Sequence, residues 1–423
     1  MTRTVTAHEA AAASRLIGHG AAELTARIGE THDAIADRAF RLSGPLAVPA
    51  HLLHDAIASG VYAAVATSSR VGGVAAGEVL RRRVSDRTVV RAGRRTGQLL
   101  AAVNGAFGDT VAVRHPELDL GMHVRAGGHD VPVTGAGLAA AFPAATGTIA
   151  VLLHGLCEDD TAWCFGTDGP APYVASLDPA GVTPVLLRYN SGRHISTNGA
   201  ALADLLVALV AGWPVEVDRL ALVGHSMGGL VARSAGAVGL GRGDAWVPLV
   251  RSVVYLATPH SGAPLERVVA RGVRLLERLP ETRPLARGLR ARSVGVKDLR
   301  HGALLDGDWA GLDPDGLSAG EPADVPLLPE ATHHVVSASL SRDHEHPVGR
   351  LLGDLLVLHP SAHGRHTGGR QPFVLTTAEH IGGRHHFQLL SDARVAAALP
   401  GWVRGDRRGD VRGDRRGEVR GDR

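Results

Sequence analysis

Two pentapeptides in this chain match the pattern Gly-x-Ser-x-Gly, in which a serine hydroxyl can act as a nucleophile. One contains Ser226, at 224–228, and the other contains Ser318, at 316–320. The pattern alone is weak, because chance predicts roughly 0.3 such matches in a chain of this composition, which has 54 glycines. The nucleophile needs a buried strand before it and a helix after it, since a sharp turn must lift the hydroxyl above the sheet edge. Ser226 follows the apolar run 220–223, whereas no strand pattern precedes Ser318, so Ser226 is the candidate.

A serine nucleophile needs a base, and the base needs an acid to orient it. In folds with this turn, the acid follows the serine in the chain and the histidine comes last. Two aspartates after the apolar run 332–338 are candidates for the acid, Asp354 and Asp343. Asp354 is favoured because it lies in a Gly-Asp turn ahead of an apolar stretch, and Asp343 stays open as the alternative.

Three histidines near the C-terminus are candidates for the base: His386, His385 and His380. We place all three after the last strand of the chain, which we predict at 372–375. His386 is favoured because the helical pattern of 388–399 begins directly after it, where the histidine loop of such a site ends. His385 and His380 remain alternatives.

Negative charge that develops on a substrate oxygen is stabilised by two backbone N–H donors, which form an oxyanion hole. Met227, the residue after the nucleophile, supplies one donor. The second donor is expected in a loop after an early strand, and the segment 154–156 follows the apolar run 151–153 directly. We assign this second donor to Leu156.

The chain has 23 histidines, so a metal site has to be considered. His359, His363 and His366 have a spacing that suits one face of a helix, but the proline and glycines among them disfavour a helix there. No Gly-x-Gly-x-x-Gly motif opens a helix after a strand, so no dinucleotide site is indicated. We therefore expect neither a metal nor an organic cofactor.

Continuous apolar runs separated by helical patterns dominate the middle of the chain. Runs without alternation are typical of strands that are buried on both faces, and such strands belong to parallel sheets. Strands alternating with helices predict an α/β fold with a doubly wound, mostly parallel sheet. The runs lie at 148–153, 183–187, 220–223 and 253–257, the helical patterns at 198–210 and 230–238, and a β-hairpin pattern at 120–124 and 131–134.

Changes in pattern divide the chain into segments. Residues 1–115 are predicted to be an N-terminal helical extension, with breaks at 43–45 and 72–73, and 116–403 the main domain. Amphipathic helices predicted at 265–279 and 285–294 make the insertion 264–330 typical of a lid or cap. The repetitive tail 404–423 is predicted to be disordered.

Charge and composition exclude several classes of protein. The tail carries eight arginines and five acids, which accounts for the whole net charge of +3, so no nucleic-acid-binding surface is expected on the folded part. No apolar run approaches the roughly 20 residues of a membrane span, and charged residues interrupt the N-terminus where a signal peptide would need an apolar stretch. We therefore expect a cytoplasmic protein in which Cys157 and Cys164 are free thiols.

Taken together, these segments resemble the α/β-hydrolases, in particular the bacterial lipase/esterase group related to GPI inositol-deacylases and triacylglycerol lipases. The resemblance implies a triad of Ser226, Asp354 and His386 that needs no metal, with His260 as a rim residue that shapes the pocket. It spans about 145–400 and leaves the N-terminal helices outside. The matching segments are 154–158 (His-Gly-Leu-Cys-Glu), 188–192 (Arg-Tyr-Asn-Ser-Gly), 224–229 (Gly-His-Ser-Met-Gly-Gly), 258–264 (Thr-Pro-His-Ser-Gly-Ala-Pro), 353–357 (Gly-Asp-Leu-Leu-Val) and 386–390 (His-Phe-Gln-Leu-Leu).

The expected activity is hydrolysis of a carboxylic ester through an acyl-enzyme, on a small-molecule or lipid-like substrate. Two other functions use the same fold. An acyltransferase would use the same triad but exclude water, and a catalytically silent binding protein would keep the fold without a reactive serine. A nucleic-acid binder would depend on the basic tail. The sequence indicates no oligomeric state.

Overall fold

The computed structural model describes residues 3–5, 7–83, 90–92, 94–167, 169–315, 325–342, 346, 353–364 and 375–405. Within these residues the chain forms an eight-stranded sheet with helices on both faces, and a long helical segment precedes the sheet. Several features predicted from the sequence lie outside the described residues: Ser318, Asp343, His366, the first three residues of the strand predicted at 372–375, and all but two residues of the tail.

The central sheet has the order β4-β3-β6-β5-β7-β8-β9-β10, and a separate antiparallel pair joins β1 to β2. Neighbours from β6 through β5 to β10 are parallel, whereas β3 is antiparallel to both β4 and β6. Parallel strands end at one edge of the sheet, so the residues that follow them come together there. The strands are β1 (Arg3–Val5), β2 (Val90–Ala92), β3 (Met122–Ala126), β4 (His129–Val131), β5 (Thr148–Leu153), β6 (Thr183–Tyr189), β7 (Arg219–His225), β8 (Val250–Leu256), β9 (Thr332–Ser339) and β10 (Thr377–Gly382).

The sheet is the middle layer of the main domain. In β5, the side chains of Ile149, Val151 and Leu153 pack in one apolar cluster, and those of Ala150 and Leu152 pack in another on the opposite face. All five are fully buried, which explains why the sequence shows a continuous apolar run instead of alternation. The predicted doubly wound α/β class is therefore correct.

Helices cover both faces of the sheet: α6 and α7 contribute to the first cluster, and α5 and α12 to the second. By length and composition, α6 could cross a membrane, but half of it is buried against the sheet, as in the core helix of an α/β domain. The helices described here are α1 (Ala7–Ser43), α2 (Val48–Arg83), α3 (Arg94–Arg114), α4 (Gly135–Ala141), α5 (Pro172–Leu177), α6 (Ile195–Gly212), α7 (Met227–Arg242), α8 (Pro264–Leu276), α9 (Arg283–Arg290), α10 (Val294–Asp298), α11 (His359–Ala362) and α12 (Ala393–Arg404).

The first two helices form a long hairpin. The break predicted at 43–45 is confirmed, since Gly44 has a φ of 78° between the two helices. The break predicted at 72–73 is wrong, because α2 runs through it. Gly73 packs there directly on Gly18: a Cβ on Gly18 would lie 2.8 Å from the Gly73 Cα. This glycine therefore allows two helix backbones to approach closely and does not end a helix.

The insertion and the C-terminal region differ from the prediction in detail. The predicted helices 265–279 and 285–294 appear as three shorter ones, α8, α9 and α10. The closing helix begins at Ala393, not at 388, because the Asp392 side chain caps it by accepting a hydrogen bond from the backbone N–H of Arg394. His380 lies inside β10, so it does not follow the last strand.

Candidate active site

Ser226 occupies the one-residue turn between the end of β7 at His225 and the start of α7 at Met227. Its φ of 52° and ψ of −120° are sparsely populated for a residue with a side chain, so the turn is strained. The Ser226 N–H donates a hydrogen bond of 2.8 Å to the carbonyl oxygen of Leu256, which fixes the turn to β8. The structure thus places Ser226 in the predicted strand–turn–helix context.

Glycines on both sides of Ser226 make this turn possible. A Cβ on Gly224 would lie 2.6 Å from the carbonyl carbon of Gly228. A Cβ on Gly228 would lie 2.6 Å from the carbonyl oxygen of His154, at the end of β5. Neither space can hold a methyl group, so both positions require glycine for steric reasons.

Asp354 and His386, the two favoured triad partners, contact each other. His386 Nδ1 lies 2.8 Å from Asp354 Oδ2, and both side chains are buried. The other carboxylate oxygen, Oδ1, accepts hydrogen bonds from the backbone N–H groups of Leu356, at 3.0 Å, and Val357, at 2.8 Å. The His386 N–H also donates to the Asp354 carbonyl oxygen at 3.0 Å. The carboxylate is held rigidly, and its bond to Nδ1 leaves His386 Nε2 available.

His386 lies beside the Ser226 turn. Its ring centroid is 4.7 Å from that of His225, the residue that precedes Ser226. The alternative histidines have other partners: the ring of His385 packs edge-on against Phe165, and both nitrogens of His380 face serine hydroxyls of β9. The structure therefore brings His386, and not His380, next to the turn.

The predicted oxyanion loop follows β5 and lies against Ser226. A Cβ on Gly155 would be 3.1 Å from the Ser226 Cβ. The N–H groups on either side of Leu156 are occupied: Gly155 donates to Glu158 Oε2 at 2.6 Å, and Cys157 donates to Ser191 Oγ at 3.0 Å. Among the contacts of the described residues, the Leu156 N–H has no acceptor. The Met227 N–H has none within its helix, because it lies in the first turn.

The N-terminal extension reaches this loop through α3. A Cβ on Gly105 would lie 2.7 Å from both the Cα and the nitrogen of Cys157, so the helix and the oxyanion loop are in direct backbone contact. The helix is distorted at Phe107, which has a φ of −141°. Ser293 uses the carbonyl groups exposed nearby: its hydroxyl donates to Gly105 at 2.6 Å, and its N–H donates to Ala106 at 2.7 Å.

Sequence reasoning missed two residues in this region, the fully buried His225 and Glu158, whose side chain is 9% exposed. Glu158 Oε2 lies 3.2 Å from His225 Nδ1, and His225 Nε2 lies 3.3 Å from the carbonyl oxygen of His386. A signal for Glu158 was present, because an acid five residues after the end of a mostly apolar strand falls where a parallel sheet places its functional loops. No pattern in the sequence pairs Glu158 with His225, since 67 positions separate them.

His260 is buried instead of lying on the rim, so that expectation is wrong. Its ring packs edge-on against Tyr255, and its Nδ1 lies 3.4 Å from an Arg233 nitrogen. Burial, together with the Arg233 charge, lowers the pKa of His260 well below the usual range for histidine. A neutral imidazole in this place contributes to packing.

Away from the serine turn, three side chains lie close enough together to hold a metal ion. Asp37, His51 and Asp55, in the α1–α2 hairpin, have ligand atoms within 4.8 Å of one another, but they lie on helices that carry none of the triad candidates. One turn of helix forms at His359–Ala362, although the sequence disfavoured it. The Nδ1 atoms of His359 and His363 face a serine hydroxyl and a backbone carbonyl, respectively. Cys157 and Cys164 are not bridged to each other.

Comparison with known proteins agrees with the fold. Residues 205–313 match the family model of the PGAP1-like alpha/beta domain. This match covers Ser226, Met227 and most of the insertion, and it ends before Asp354.

The chain has the α/β-hydrolase fold. Among solved structures, the chain is similar to a lipase of Bacillus licheniformis in mature form, with 17% identity, 58% of this chain and 86% of that chain covered, and a TM-score of 0.36. It is also similar to an esterase of Pyrococcus furiosus, with 12% identity, 62% and 83% covered, and a TM-score of 0.34. No curated protein matches. The fold and the PGAP1-like match support a hydrolase.

Proposed function

We propose that this α/β-hydrolase cleaves carboxylic esters with a triad of Ser226, Asp354 and His386. The observation that carries the proposal is the buried bond of 2.8 Å between His386 and Asp354 beside the strained Ser226 turn. A histidine oriented by a buried carboxylate, next to a serine on a sharp turn, is the arrangement that activates a hydroxyl.

In the proposed reaction, Ser226 Oγ attacks the ester carbonyl carbon while His386 Nε2 takes the hydroxyl proton. Asp354 keeps the other ring proton on Nδ1 and stabilises the imidazolium that forms. The negative charge on the carbonyl oxygen is stabilised by the N–H groups of Met227 and Leu156, for which the described part of the chain offers no competing acceptor. His386 then protonates the leaving alcohol.

In the second half of the reaction, His386 removes a proton from water, and the resulting hydroxide attacks the acyl-enzyme. The C–O bond to Ser226 breaks, the acid product leaves, and the serine regains its proton. No metal or organic cofactor takes part in this scheme.

The proposed substrate is a small-molecule ester with an apolar acyl group. Its support lies in the insertion, where Leu275, Leu279 and Leu285 are all more than half exposed although they lie on or beside the amphipathic helices α8 and α9. Apolar side chains that an insertion of this kind leaves exposed suit an apolar ligand.

Hydrolysis of p-nitrophenyl esters by the full chain tests the proposal. We expect wild type and Ser318→Ala to turn over the ester, and Ser226→Ala to lose turnover by about 10⁶-fold, to the background rate. Turnover by Ser226→Ala together with its loss in Ser318→Ala would contradict the proposal. Adding an acceptor alcohol to the wild-type reaction distinguishes hydrolysis from acyl transfer, because a transferase would release more p-nitrophenol when the alcohol is present.

A further inference from the structure

A second carboxylate–histidine pair lies beneath the proposed triad. Glu158 Oε2 accepts a hydrogen bond of 2.6 Å from the Gly155 N–H in the oxyanion loop and lies 3.2 Å from His225 Nδ1. His225 Nε2 lies 3.3 Å from the backbone carbonyl oxygen of His386. One continuous chain of polar contacts therefore links the oxyanion loop, the serine turn and the loop that carries the base.

The partners of His225 determine its protonation. A carboxylate oxygen and a carbonyl oxygen are both acceptors, so each ring nitrogen needs a hydrogen in order to bond. With Glu158 ionised, both bonds form at once only if His225 is an imidazolium. His154 differs from His225 in its partners. Its Nε2 accepts a hydrogen bond of 3.1 Å from the Tyr189 N–H, so this ring can stay neutral.

Charge and burial agree with this assignment. His225 is fully buried and the Glu158 side chain is 9% exposed, so either charge alone would be costly. Burial opposes both charges, yet the attraction of Glu158 outweighs it and raises the pKa of His225. In the same way, His225 lowers the pKa of Glu158 against the effect of burial.

We infer that Glu158 and protonated His225 are positioning residues, which hold the oxyanion loop and the His386 loop at fixed distances from Ser226. This inference rests on the proposed ester hydrolysis. A shift of about 1 Å between reacting groups can reduce a rate by roughly 100-fold. Loss of the contacts that link these three segments is therefore expected to lower kcat more than it changes substrate binding.

The test compares Glu158→Gln with Asp298→Asn in the full chain. The first variant keeps an oxygen for the Gly155 N–H but removes the charge that holds the imidazolium. The second breaks a comparable pair, in which His194 Nδ1 lies 3.0 Å from the buried Asp298 in the insertion. Melting temperature, the rate of fluorophosphonate labelling, and kcat and KM for a p-nitrophenyl ester are measured for each.

We expect Glu158→Gln to reduce labelling and kcat by about 10- to 100-fold with KM changed less than threefold. Asp298→Asn is expected to lower the melting temperature but to label within twofold of wild type. Labelling of Glu158→Gln within twofold of wild type would overturn the inference. If Glu158→Gln does not fold, Glu158→Asp, which keeps the charge on a shorter side chain, must show the same loss in kcat.

A measurement without turnover separates this inference from the proposed function. The imidazole ¹⁵N spectrum of the wild type should show both ring N–H groups of His225 at neutral pH, and Glu158→Gln should lose them and shift the His386 signals. Asp298→Asn should do neither. A wild type that does not label refutes the role of Ser226, and the spectrum then still decides the inference: a neutral His225, or unmoved His386 signals in Glu158→Gln, overturns it.

Discussion

Two helix contacts made by glycines, Gly18 in α1 and Gly105 in α3, have nearly the same geometry and different surroundings. A Cβ on Gly18 would lie 2.8 Å from Gly73, and a Cβ on Gly105 would lie 2.7 Å from Cys157. The first contact joins two helices whose large aliphatic side chains are mostly exposed, such as Ile17 at 72% and Leu42 at 84%. The second joins a helix to the oxyanion loop.

Both parts of the N-terminal extension share an apolar cluster around Ala12 and Val111, but they contact different parts of the main domain. Among the side chains described for it, the hairpin of α1 and α2 buries no large aliphatic one, and it contacts the insertion through exposed ion pairs such as Arg287 with Glu30. Exposed pairs of this kind contribute about 0–1 kcal/mol. The helix α3 instead shares hydrogen bonds with Ser293 and backbone contacts with Cys157. We therefore group α3 with the segments of the proposed active site.

Apart from the serine itself, the largest effect is expected at Asp354, whose carboxylate contacts His386 and accepts two backbone hydrogen bonds. Asp354→Asn leaves the buried geometry nearly unchanged but cannot hold the His386 ring proton on Nδ1, so kcat should fall by about 10⁴-fold. Steady-state hydrolysis of a p-nitrophenyl ester measures this loss. Asp343→Asn is the matched control and should keep kcat within threefold of wild type. The opposite pattern would move the acid to Asp343.

The two glycines provide the direct test of the comparison. Gly105→Val should displace Cys157, and with it the Leu156 N–H, and reduce the fluorophosphonate labelling rate by about 100-fold. Gly18→Val creates a similar clash within the hairpin, and we expect a destabilisation of about 1–3 kcal/mol with labelling within twofold of wild type. Labelling rate and urea unfolding are measured for both variants. Equal effects of both on labelling would show that α3 has no special link to the site.

The smallest expected effect is a loss of folding stability at low pH, caused by His334 in β9. Burial, with a contribution from His333, lowers the pKa of His334 to about 4. Its folded pKa is below the unfolded value of about 6.5, so the unfolded chain binds the proton first and stability falls as pH drops from 6.5 towards 4. At pH 4.5 the loss should reach about 2 kcal/mol. Between pH 7.5 and 4.5, the free energy of unfolding, measured with urea, should fall less in His334→Gln than in the wild type. An equal fall in both proteins would contradict this account.

Most of the main domain could be predicted from the sequence, because its physical signals are local. Runs such as 148–153 gave the strands, and the glycines around Ser226 marked the turn. The favoured acid and base proved to be in contact because chain order and the parallel sheet restrict which loops can meet.

The remaining features depend on contacts between distant segments. Gly73 was interpreted as a helix break, whereas in the structure it packs against Gly18 of the neighbouring helix, a contact that the sequence does not reveal. His260 was placed on a rim, although Tyr255 and Arg233 bury it. The pairing of Glu158 with His225 and the contact of α3 with the oxyanion loop likewise follow from tertiary packing, which no local pattern encodes.

The central claim is that Ser226 is the nucleophile, and the most direct test is to locate the adduct of a fluorophosphonate on the wild-type protein. Peptide mass spectrometry of the labelled chain should find the modification on the peptide that contains Ser226, at a stoichiometry close to one. Heat-denatured protein, which lacks the serine turn, is the control and should not label. A modification on Ser318, or no modification of the native protein, would contradict the account.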